Sequence, residues 1–248
     1  MKRTRIATFL IPIIFLLFLS LGIFFRFRGL FWGEYLYLHP DERFLVWVGS
    51  SIESVKTIGE YFNTHLSSLN PHNRGHGFYV YGDFPIIFTR YVSEAMFDYV
   101  GWNEITQVGR VLSAIFDLGS VFLIFLVGWK LFNKWVGLLA FAFSAFAVLQ
   151  IQQAHFFTVD TFATFFTMLA LFIAVNIANH RFANENNQRN IENTQSSTDQ
   201  EEFNKEKFSY PYKKISILSI LFGIVVGLAA ASKINTVTIS LLLPKVQQ

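Results

Sequence analysis

Cysteine is absent from the 248 residues. No disulfide can staple this chain and no thiolate can bind a metal, so any ion it holds must take oxygen or imidazole ligands. Charge is also scarce: 20 Lys and Arg face 17 Asp and Glu, for a formal net charge of +3. With no basic stripe interleaved with aromatics, that balance argues against nucleic acid as a partner. No internal repeat is visible. What fills the chain instead is apolar. Hydrophobic residues make up 52%, 30 residues are Phe, and the mean hydropathy is +0.39. Soluble domains of this length are rarely so apolar, so the expected solvent is a lipid bilayer.

Residues 6–25 form a nearly unbroken apolar run behind Lys2, Arg3 and Arg5. At about 1.5 Å per residue the run is long enough to span the hydrocarbon. It exceeds a signal-peptide core and leads into Arg26-Phe27-Arg28 rather than a small-residue cleavage site, so a retained helix kinked at Pro12 is expected. Further spans are expected at 108–127, 135–149, 156–177 and 215–231, the last able to run on towards 243 as the start of a sixth. The short Lys130-Leu131-Phe132-Asn133-Lys134 turn makes the second and third an antiparallel hairpin. The fold class is therefore an all-α polytopic membrane protein, a bundle of about five spans. Basic residues at the N-terminus, at Lys130 and Lys134, and at Lys213 and Lys214 fall on one side, which the positive-inside rule makes cytoplasmic in the cell membrane. Residues 26–107 then form a large extracytoplasmic loop. Residues 179–212, dominated by Asn, Gln, Glu, Ser and Thr, read as a flexible cytoplasmic loop.

An eighty-residue connection usually carries its own structure or function. Phe44, Leu45, Val48, Ile52 and Val55 recur near helical spacing within 42–58, and 84–99 offers a second amphipathic helix, both suited to the membrane surface. The chemistry-bearing run is His39-Pro40-Asp41-Glu42-Arg43-Phe44. Asp41 stands at a helix start, where the dipole stabilises an anion; it reads either as a base or ion ligand or, with Glu42, as a helix-capping charge. A second polar cluster, Gln152-Gln153-Ala154-His155-Phe156-Phe157-Thr158-Val159-Asp160-Thr161, falls on the same side of the membrane. Asp41, Asp160 and His155 offer hard ligands for a divalent cation, and Asp160 reads equally as a helix cap. Arg110 and Asp117 lie seven residues apart on one face of the second span. Each costs about 2.5 to 3.5 kcal/mol at a helix centre. Arg110 is expected to snorkel outwards and Asp117 to face a partner in the bundle interior. Lys233 reads as a snorkelling residue or as a ligand for a lipid phosphate.

Taken in order, these motifs resemble the membrane glycosyltransferases of the GT-C class, specifically the family of protein O-mannosyltransferases, lipid A aminoarabinose transferases and bacterial relatives (glycosyltransferase family 39-like). The resemblance is carried by His39-Pro40-Asp41-Glu42, Tyr81-Gly82-Asp83-Phe84-Pro85, Gly109-Arg110-Val111-Leu112-Ser113, Ala154-His155-Phe156-Phe157-Thr158-Val159-Asp160-Thr161 and Gly227-Leu228-Ala229-Ala230-Ala231-Ser232-Lys233. It implies transfer of a sugar from a polyprenyl-phosphate-linked donor to a protein, lipid or glycan acceptor outside the cytoplasm, with inversion. Asp41 would be the base, with Glu42 its neighbour. Lys233, Arg110 and His155 would bind the lipid phosphate, and a divalent metal would sit at Asp41 and Asp160. Several family members carry a basic residue and paired prolines where this chain has Tyr81-Gly82-Asp83-Phe84-Pro85. The family also continues through more spans, so the resemblance implies an N-terminal part of a longer protein. The rival class is a transporter or non-catalytic membrane scaffold, in which Asp117, Asp160 and Lys233 serve solute passage or helix association.

Overall fold

The computed structural model describes residues 2–33, 36–195 and 212–242. They fold as an all-α bundle. In chain order the helices are α1 (Lys2–Phe27), α2 (Pro40–Ser51), α3 (Ile58–Phe62), α4 (Asp83–Met96), α5 (Trp102–Leu131), α6 (Lys134–Ala145), α7 (Val148–Ala154), α8 (Val159–Gln195) and α9 (Tyr212–Ser232). Two 3-10 segments, Pro71–Arg74 and Ile234–Leu242, complete the described elements, and no strand occurs among them. Four helices hold windows long and apolar enough to cross a membrane, Leu10–Phe27, Trp102–Leu131, Val159–His180 and Lys214–Ser232. The chain is thus a multi-pass membrane protein.

The third expected span is broken. Helix α6 ends at Ala145, and α7 departs at 61° after a two-residue gap. Such a bend frees carbonyls that lipid cannot satisfy. Arg26, fully buried near the end of α1, satisfies them: its Nη1 donates to Ala145 O at 2.9 Å and its Nη2 to Ser144 O at 3.4 Å. Its Nε donates to Asp117 Oδ2 of α5 at 2.5 Å. Asp117 therefore has the interior partner that its position demands, and Arg26 belongs to the bundle rather than to the flank of the first span.

Other boundaries also differ from the sequence expectation, and the loop helix expected over 42–58 ends at Ser51. The fourth span starts at Val159, because the Phe157 amide is bonded elsewhere. Its helix then runs to Gln195, through the first part of the segment expected to be a flexible loop. Extending an existing helix adds one hydrogen bond per residue without a new nucleus, so polar residues are carried along. Residues 196–211 of that loop lie outside the described residues. The fifth span ends its α-helix at Ser232 and tightens into the 3-10 segment instead of continuing as α-helix.

Helix α5 is the hub. It meets α6 at Gly128 and Gly137, where a Cβ on Gly128 would lie 3.0 Å from Gly137 Cα, so the absence of side chains sets the separation. At its other end α5 receives α2 and α4, whose Leu45, Val46, Val48, Ile52 and Ile86 are fully buried with Ile105. These two loop helices pack onto the bundle. Arg90 of α4 joins them, donating to Ser50 O at the end of α2 (3.3 Å) and to Glu94 (2.5 Å).

Candidate functional site

Pro40 occupies the first turn of α2, its fixed φ suited to that position, and Asp41 and Glu42 follow it. Successive helical residues point about 100° apart, so the two acids face different surroundings. Glu42 is fully buried. It accepts Arg110 Nε at 2.7 Å and Nη2 at 2.8 Å, and its Oε1 also accepts the Phe157 amide at 3.0 Å. The Arg110 guanidinium spends further hydrogens on Leu30 O (3.0 Å) and Trp32 O (3.1 Å). Arg110 therefore does not snorkel. The pair welds α2, α5, the segment after α1 and the approach to α8 at one point.

Asp41 is half-buried and faces the other way. Tyr81 donates its hydroxyl to Asp41 Oδ1 at 3.0 Å. Burial pushes the Tyr81 phenol up to about 12, with further contributions from the Asp41 hydrogen bond and from the charges of Asp41 and then Asp160. Both carboxylates thus act on one phenol. The polypeptide around Tyr81 is fixed by close contact. A Cβ on Gly82 would fall 2.1 Å from Ala231 O at the end of α9, an approach only glycine permits. The Tyr79 hydroxyl donates to Gly82 O at 2.9 Å.

Just beyond Ala231, Lys233 Nζ donates to Asp160 Oδ1 at 2.5 Å, with both side chains partly solvent-exposed. The pair stands on a cleft of about 570 Å³ between α8 and the 3-10 segment, lined also by Thr164, Thr167, Asn235 and Thr236. His155 is not among the cleft's lining residues. Its Nδ1 faces Ile151 O at 2.8 Å and its Nε2 faces Arg28 O at 3.1 Å. His39, the residue before α2, packs its ring against Phe156 with centroids 4.7 Å apart and planes tilted by 41°.

Of the expected site residues, then, Asp41, Asp160 and Lys233 gather around Tyr81 and the end of α9. Glu42 and Arg110 are sealed against each other, and His155 is bonded to backbone carbonyls. As a metal centre the donor set is thin. Among the described residues no cluster of three or more His, Asp or Glu is suited to hold an ion. Asp41 and Asp160 each have one oxygen engaged, so an ion held by them would complete its shell with water and the phosphate oxygens of a substrate. Tyr81 and Arg26 make contacts that no reading of the sequence assigned to them. No family model, curated protein or solved structure matches this chain.

Proposed function

We propose that the chain is an integral membrane glycosyltransferase, similar to the GT-C class, that moves a sugar from a polyprenyl-phosphate donor to an extracytoplasmic acceptor hydroxyl. One observation carries this reading. Of the four acids singled out by sequence, Glu42, Asp117 and Asp160 are each ion-paired, whereas among the described residues Asp41 has only the neutral Tyr81. Asp41 is thus the acid free to accept a proton.

In this mechanism Asp41 Oδ2 takes the proton of the acceptor hydroxyl as that oxygen attacks the anomeric carbon. The bond from that carbon to the phosphate oxygen breaks, its electron pair leaves with the phosphate, and the configuration inverts. Lys233 offers its ammonium to the negative charge growing on the leaving phosphate. Glu42 and Arg110 hold α2, and so Asp41, in place. A divalent ion at Asp41 and Asp160, which the resemblance implies, would add to the charge stabilisation of the leaving phosphate.

A transporter has one observation in its favour, the bent α6–α7 pair, since interrupted spans often line substrate sites. Here, however, the freed carbonyls and the buried acid are occupied by each other's partner, Arg26. The two readings separate in a transfer assay with radiolabelled polyprenyl-phosphate sugars in membranes containing native protein or Asp41→Asn. A positioned general base contributes on the order of 100-fold or more. Transfer should fall by at least that factor in the variant with membrane insertion intact, and equal transfer by both proteins refutes the mechanism.

A further inference from the structure

The segment around Tyr81 contains more order than a connection needs. Its side chains alternate: Phe78 and Val80 are 81% and 65% exposed, while Tyr79 is 6% exposed. The Tyr79 amide closes a turn onto His76 O at 3.0 Å, and Tyr79 and Tyr81 both turn their rings towards Phe44. There Tyr81 meets the Phe44 ring of α2 at 6.0 Å and the Tyr79 ring at 6.1 Å. The next residue, Gly82, is seated against Ala231, two positions before Lys233. The Tyr81 ring is thereby fixed on one side by α2 and, through Gly82, by α9 on the other. Its hydroxyl ends on Asp41 Oδ1, and among the described residues no donor reaches Oδ2.

We infer that Tyr81 is a positioning residue for Asp41: its hydroxyl pins one carboxylate oxygen so that the other is presented to the acceptor hydroxyl, and it couples the base on α2 to the Lys233 end of α9. The inference rests on the glycosyl-transfer reading. A phenol suits the task because it orients a carboxylate without pairing its charge, as Lys or Arg would. Its raised ionisation keeps the proton on the phenol throughout the neutral range, so the donor is always present. A general base must lie within hydrogen-bond reach of the proton it takes, and a displacement of about 1 Å can cost on the order of 100-fold. One carboxylate torsion left loose is enough to produce part of that loss.

Two measurements on the full chain in lipid nanodiscs test this. In the first, 3-fluorotyrosine is placed at position 81 and its fluorine resonance is compared between native protein and Asp41→Asn. A displaced resonance supports the contact, and an unchanged one overturns the inference whether or not a sugar donor is known. The second is a kinetic cycle of native, Tyr81→Phe, Asp41→Asn and the double variant. The expected result is a fall of about tenfold in kcat for Tyr81→Phe with donor KM unchanged, and no additional fall when Asp41→Asn is already present. A tenfold fall that persists in the Asp41→Asn background overturns the positioning role alone, as does no fall at all. Equal transfer by native protein and Asp41→Asn removes the functional reading and this inference with it.

Discussion

Replacing Glu42 by Gln separates a scaffold role from a catalytic one. The side chain keeps its shape, but the three hydrogens it accepts, from Arg110 Nε, Arg110 Nη2 and the Phe157 amide, all come from groups that cannot turn away. Gln has one carbonyl oxygen for them and presents its NH2 to the rest, donor against donor. The guanidinium, with a side chain 3% exposed, then keeps the carbonyls of Leu30, Trp32 and the new amide but has no counter-charge. Leaving one member of a buried ion pair uncompensated costs about 3 to 5 kcal/mol. At about 1.4 kcal/mol per decade, that is a hundredfold to several-thousandfold shift towards the unfolded state.

The assay is unfolding in mixed micelles by SDS titration, followed by far-ultraviolet circular dichroism. Glu42→Gln should lower the stability by the amount above. Adding Arg110→Met removes the stranded cation, so the double variant should be more stable than the sum of the two single changes predicts, by at least about 1 kcal/mol. Strict additivity, or a Glu42→Gln variant within about 1 kcal/mol of native, refutes the scaffold reasoning. A variant that folds normally yet transfers no sugar would instead make Glu42 a participant in the chemistry.

Three further outcomes follow from the same contacts. Gly82→Ala drives a Cβ to 2.1 Å from Ala231 O, so the loop must lift from α9, and amide hydrogen exchange should quicken at 79–83 and 231–233; unchanged exchange refutes the contact. Arg26→Leu strands Asp117 and the carbonyls of Ser144 and Ala145, and should destabilise the bundle by about 3 to 5 kcal/mol in the same SDS titration, with less than about 1 kcal/mol refuting it. Burial lowers the His76 imidazole below its ordinary 6.5, so below that pH the unfolded chain binds more protons and stability falls with pH towards the folded value. Proteolysis within 70–79 should therefore be faster at acidic than at neutral pH in native protein, and His76→Gln should remove the difference. An equal pH response in both proteins refutes it.

The spans were legible because a bilayer imposes a length and a hydropathy that a window of residues reports directly. The break in the third span was not. The stretch Phe141-Ala142-Phe143-Ser144-Ala145-Phe146-Ala147 holds no Pro or Gly to announce it. What sustains the break is a cation 119 residues away in sequence, and no local pattern encodes that. The loop helices were visible through their apolar period, but the period stops short of saying whether such a face meets lipid or protein. Here α5 supplies the surface, with Ile105 fully buried among the side chains of α2 and α4. Tyr81 carried no such signal: the more apolar Phe78 and Val80 beside it are 81% and 65% exposed while Tyr79 is 6% exposed, the reverse of what an inward apolar face predicts.

Adjacent acids pose the harder problem, and its solution lies in how few charges the chain carries. Sequence cannot say which of Asp41 and Glu42 turns inward, since one residue of helix rotation exchanges them. Charge matching settles it once the bundle is assembled, because a charge in a low-dielectric interior persists only beside its opposite. Arg26 on α1 meets Asp117 on α5, Arg110 on α5 meets Glu42 on α2, and Lys233 after α9 meets Asp160 on α8. Each cation in these pairs bridges two elements, and the buried guanidiniums of Arg26 and Arg110 are used up in doing so, while the Lys233 ammonium stays partly exposed. None of these three pairs with Asp41, which lies at the half-exposed edge of α2 where water compensates it and a neutral phenol orients it. The pairings that hold the helices together are therefore also what leave this carboxylate unpaired. Adding a cation beside it should suppress proton transfer without unfolding the bundle.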